Sequence, residues 1–71
     1  MDNETIDEVL KKIGFRIGYL AGDICAYRID LEHENPNDIV KYTQLIYAYN
    51  NSISKKEELE ELYDTILALK E

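Results

Sequence analysis

The sequence predicts an all-α domain: a three-helix antiparallel arrangement with a long first helix, paired into a dimer. Apolar residues recur at three- and four-residue steps along most of the chain, and helix-start signatures precede the periodic stretches. Only one proline and three glycines punctuate the 71 residues. At this length a single domain (1–71) is expected, and a core built from a few elements is marginal alone, so association is expected as well.

The first element opens with Thr5 to Glu8, which has the capping-box form in which each side chain satisfies a free backbone N–H of the first turn. Ile6, Leu10, Ile13, Ile17, Leu20, Ile24, Tyr27 and Leu31 then step by four and three without interruption. That is a heptad seam of about 26 residues, roughly 39 Å at 1.5 Å per residue. Beside the seam lies a strip of small residues, Gly14, Gly18, Ala21 and Cys25. Such a strip admits another helix at close range, and with Tyr19 it is the expected dimer interface.

The same segment also fits an α+β alternative with a hairpin at about 14–32. Gly14 then ends a short helix whose last turn carries Lys11 and Lys12, and the chain turns at Ala21-Gly22-Asp23. Tyr19 faces Cys25, Ile17 faces Tyr27, Phe15 faces Ile29 and Ile13 faces Leu31, giving one apolar face. Glycine inside a helix costs about 1 kcal/mol relative to alanine, which favours the hairpin. Against it stand a loop with glycine in the middle rather than last, Arg16 opposite Arg28, and the weakness of a two-stranded sheet. The long helix is the reading taken.

The second element is expected to begin with Asn35 as N-cap, Pro36 at the first helical position and Asp38 three residues on from the cap. Ile39, Tyr42, Ile46 and Tyr49 form its stripe, flanked by Val40, Leu45 and Tyr47. Asn50-Asn51-Ser52 is read as a junction. The third element starts at Ser54-Lys55-Lys56-Glu57, a second capping box, and buries Leu59, Leu62, Ile66 and Leu69, widened by Tyr63 and Leu67. Tyr19 and Tyr47 fall off the seams, and with Phe15 and Ile29 they mark surface open to a partner.

Fifteen Asp and Glu against eight Lys and Arg give a formal net charge of −7. Phosphate binding depends on Lys and Arg releasing counterions, so direct nucleic-acid binding is not expected, and a basic protein partner is. No stretch approaches the roughly 20 apolar residues of a membrane helix. The opening Met1-Asp2-Asn3-Glu4-Thr5 lacks the basic and apolar regions of a secretory signal, and the lone Cys25 suits a reducing compartment, so a cytoplasmic location is expected.

Little here can do chemistry. Cys25 and His33, the single histidine, are about 12 Å apart by rise along one helix and cannot form a nucleophile–base pair within it. An EF-hand loop starting at Asp30 needs Gly sixth and Glu twelfth, where this chain has Asn35 and Lys41. Gly14, Gly18 and Gly22 match neither the dinucleotide fingerprint nor the P-loop. No catalytic residue, metal site or cofactor is expected.

The carboxylates form two clusters: Asp30, Glu32, Glu34 and Asp38 in one, and Glu57, Glu60, Glu61 and Asp64 in the other. The second set shares one helix side at steps of three, four and seven, a ridge about 10 Å long. Like charges at such spacing destabilise a helix, which points to a use. In size, acidity and helical content the chain resembles the small acidic inhibitor proteins of bacteriophages, including DNA mimics that block HU-type nucleoid proteins. That resemblance implies a non-enzymatic inhibitor or regulator occupying the basic DNA-binding surface of a partner such as a nucleoid-associated protein, and the small size adds the expectation of a homodimer. It carries over no residue role; the acidic positions come from spacing. The rival reading is an adaptor that grips a partner helix through the apolar small-residue face while the acids only solvate.

Overall fold

The computed structural model describes residues 2–70, which form two helices, α1 (Asn3–His33) and α2 (Ile39–Leu67). They run antiparallel side by side in a rod of 54 × 14 × 12 Å. The all-α expectation holds, and residues 14–32, where a hairpin was the alternative, lie wholly within α1. Two helices replace the expected three.

Helix α1 starts earlier than the Thr5–Glu8 capping box predicts, because Asp2 caps it: its Oδ1 accepts the Thr5 backbone N–H at 2.8 Å. Donation from that N–H, aided by the Thr5 side chain, holds the Asp2 pKa below the usual carboxylate value. The seam read from the sequence is the packing face. Ile6, Leu10 and Leu20 are buried, and Ile13, Ile17, Ile24, Tyr27 and Leu31 are half-buried against α2.

Between the helices Asn35 is not the N-cap. Its carbonyl accepts the Asp38 N–H at 3.0 Å and its side chain accepts the Asn37 N–H at 3.0 Å, closing a turn with Pro36 in its second position. The cap is Asp38, which accepts the Lys41 N–H at 3.3 Å. Pro36 therefore belongs to the turn and not to the first helical position.

Helix α2 continues through Asn50-Asn51-Ser52, so the expected junction is absent and Ser54 lies mid-helix rather than at a cap. The segment holds no glycine or proline, and Asn and Ser lose only a few tenths of a kcal/mol each in a helix, which packing along a neighbour outweighs. Ser52 is itself buried at 8% exposure. The contact face of α2 is Tyr42, Leu45, Tyr49, Ser52, Lys56, Leu59, Tyr63 and Ile66, an unbroken ladder of three- and four-residue steps with two polar members. Ile39, Ile46, Leu62 and Leu69, expected in the core, are exposed at 72, 38, 45 and 60%. The true ladder runs one register aside from them.

Two ion pairs clasp the rod near its ends: Lys70 Nζ lies 2.6 Å from Asp7 Oδ1, and Lys41 Nζ lies 3.4 Å from Glu34 Oε2. Between them Arg28 meets the Tyr49 hydroxyl, a contact that raises the guanidinium pKa.

Candidate protein-binding surface

The rod has two open surfaces of interest, one charged on α2 and one apolar on α1. On α2, Glu57, Glu60, Glu61 and Asp64 are all exposed, as the helical spacing predicts. Glu57 to Asp64 contains five carboxylates and no cation. Among the described residues its one ion pair is from Lys56 Nζ to Glu60 Oε1, at 2.8 Å. Lys56 occupies a ladder position, where its stem packs and its ammonium reaches outward to the carboxylate. Glu60 and Asp64 also border an open groove completed by Gly14, Ile17 and Tyr63.

The other four acids do not join this ridge. Asp38 is about 28 Å from Glu57 by helical rise, at the turn end of the rod. There Asp38 is engaged as the cap of α2 and Glu34, with 17% of its side chain exposed, pairs with Lys41. Asp30 and Glu32 remain exposed on α1. The eight acids thus form two separate groups, and the one at the turn is partly neutralised by the chain itself.

The expected small-residue interface also divides. Gly14 is half-buried, and a β-carbon there would lie 3.9 Å from Tyr63 Cε2, so this glycine faces α2. Gly18, Ala21 and Cys25 are exposed, and a β-carbon on Gly18 or Gly22 would meet nothing within 4 Å. Tyr19 is 64% exposed, with Arg16 stacked 5.4 Å from its ring centre.

Sequence reasoning marked Phe15, Tyr19 and Ile29 singly and missed that Gly22 and Ala26 join them into a second ladder. Phe15, Tyr19, Gly22, Ala26 and Ile29 step by four and three on the side of α1 opposite its buried seam. Phe15 is 70% exposed and Ile29 51%. The same three-and-four stepping that revealed the buried seam reveals this one.

Among the described residues no group of three or more His, Cys, Asp or Glu side chains is placed to hold a metal ion. No helix among them is long and apolar enough to cross a membrane. No family model, curated protein or solved structure matches the chain.

Proposed function

We propose that this is a non-enzymatic binding protein whose α2 ridge captures the basic, nucleic-acid-binding surface of a protein partner and keeps DNA off it. The supporting observation is the exposed run from Glu57 to Asp64, five carboxylates without an interspersed cation. Anionic groups fixed on a helix stand in for a short stretch of phosphate backbone, and a basic groove is drawn to them at long range. The turn-end acids are left out of this surface because Asp38 and Glu34 already have partners in the chain.

The test is displacement of duplex DNA from a purified HU-type nucleoid protein. Displacement at low ionic strength, lost in the Glu57→Gln, Glu60→Gln, Glu61→Gln, Asp64→Asn variant and at about 0.5 M NaCl, supports the reading, since the Debye length then falls to about 4 Å. Displacement unaffected by salt or by neutralising the ridge overturns it.

A second reading, an adaptor that grips a partner helix, is favoured by the exposure of Phe15, Tyr19 and Ile29. It predicts that Gly18→Leu abolishes partner binding while the neutralised ridge leaves it intact.

A further inference from the structure

The outer face of α1 carries an inference that does not depend on the acid ridge. Its ladder of Phe15, Tyr19, Gly22, Ala26 and Ile29 repeats the stepping of the seam that α2 covers, yet stands in solvent. Gly18 and Gly22 sit on this side with open space around them. Each costs the helix about 1 kcal/mol relative to alanine, and neither is needed for any contact within the chain.

The surface area gives a measure of what is left uncovered. The chain exposes 5461 Å², whereas a compact monomer of its mass exposes about 4,600 Å². The excess, about 900 Å², reflects the elongated two-helix rod, and covering one long helix face with roughly 800 Å² per partner would bring it toward the compact value. Among the described residues only Ile6, Leu10 and Leu20 are buried apolar side chains, few for a chain of this size.

Charge along the face selects the occupant. Lys11 and Lys12 lie N-terminal to the ladder, and Asp30 and Glu32 flank its C-terminal end, all exposed. Lys12 and Asp30 are 18 positions apart, about five whole turns, so they lie on the same flank. Lys11 and Glu32 are 21 apart, about 60° out of register at the same 3.6 residues per turn, and both lie toward the other flank. In an antiparallel pair like flanks face each other. A second α1 laid antiparallel, with its two-fold at Ala21-Gly22, brings Lys12 opposite Asp30, Lys11 opposite Glu32 and Phe15 beside Ile29. A parallel pair would set lysines against lysines and acids against acids.

We propose that a second copy of this chain covers this face, with the two α1 helices antiparallel and closest at Gly22. The dimer is then a four-helix layer in the order α2, α1, α1, α2, with the Glu57–Asp64 ridges on opposite outer sides.

Sedimentation equilibrium on the full chain tests this, with far-UV circular dichroism as the measure of folding. The expected mass is twice 8.3 kDa. Lys12→Glu and Asp30→Lys should each raise the dissociation constant about tenfold, because the pair occurs twice in a symmetric dimer. The double variant K12E/D30K should return to the wild-type value, which a chain damaged in folding would not do. A single-chain mass at millimolar concentration overturns the proposal. So does a dimer indifferent to both charge reversals, a double variant that does not recover, or a dimer lost with Tyr47→Glu on α2 but retained with Phe15→Glu.

Discussion

Gly14 of α1 faces the ring of Tyr63 of α2, and a β-carbon added to the glycine would stand 3.9 Å from Tyr63 Cε2, an ordinary van der Waals distance. The helices thus meet here without needing the glycine's smallness. Gly14→Ala is expected to stabilise the chain by up to about 1 kcal/mol through helix propensity, read as a higher midpoint in urea denaturation. A loss of stability would mean that the added methyl crowds the Tyr63 ring.

Gly18 and Gly22 behave differently if a second α1 lies against them. In dilute solution, where the chain is monomeric, Gly22→Ala should stabilise it by about 1 kcal/mol because its new methyl meets nothing. At concentrations that favour the dimer the same variant should dissociate more readily than wild type. Stability measured against concentration separates the two effects, and equal gains at every concentration would argue against close approach at Gly22.

Asp2 ties the start of α1 to acidity. Donation from the Thr5 N–H lowers its pKa from the ordinary 3.8, so the cap contributes fully above that value and is lost as pH falls through the lower folded one. Helicity of the first turn should fall in that acid window. Asp2→Asn caps equally well without titrating and should remove this part of the acid response, as followed by backbone amide chemical shifts of residues 3 to 6.

The continuity of α2 through Asn50-Asn51-Ser52 gives a sharp mutational test. Asn51→Pro deletes a helical hydrogen bond and crowds the preceding turn, at a cost of about 3 kcal/mol, enough to unfold a rod with so small a core. Pro36→Ala, in the turn, should change stability by less than about 1 kcal/mol. Thermal melts of both variants decide it: an Asn51→Pro protein as stable as wild type would restore the junction.

The acid ridge burdens the helix that carries it. Glu57 with Glu60 and Glu61, and Asp64 with the same two, are like-charge neighbours at steps of three and four. Neutralising all four should stabilise the chain by about 1 kcal/mol at low salt, less the loss of the Lys56–Glu60 pair. The gain should shrink as salt is added, and a salt-independent change would show that charge is not its source.

The seam of α1 was legible because its eight residues are apolar without exception and nothing in the ladder competes with them. In α2 the ladder passes through Ser52 and Lys56, so apolar periodicity alone slides to Ile39, Ile46, Leu62 and Leu69, which are exposed. Asn-Asn-Ser and Ser-x-x-Glu are local signals of a helix boundary, and packing along 31 residues of α1 outweighs both. At the turn, Asn35 and Asp38 both offer a capping oxygen, and the sequence does not rank them. The outward direction of the Glu57–Asp64 ridge followed from spacing alone. That Glu34 and Asp38 are engaged by Lys41 required the turn's geometry, which brings the two helix ends together.

The Asp7–Lys70 clasp holds the beginning of α1 beside the residues that follow α2. A fluorophore attached beside Asp7 and another beside Lys70 would therefore sit at the same tip, with the Asn35–Asp38 bend at the opposite tip of the 54 Å rod. Such a stretched particle leaves a gel-filtration column ahead of a sphere of equal mass, so elution volume would overstate its size and only scattering or sedimentation reports how many chains travel together.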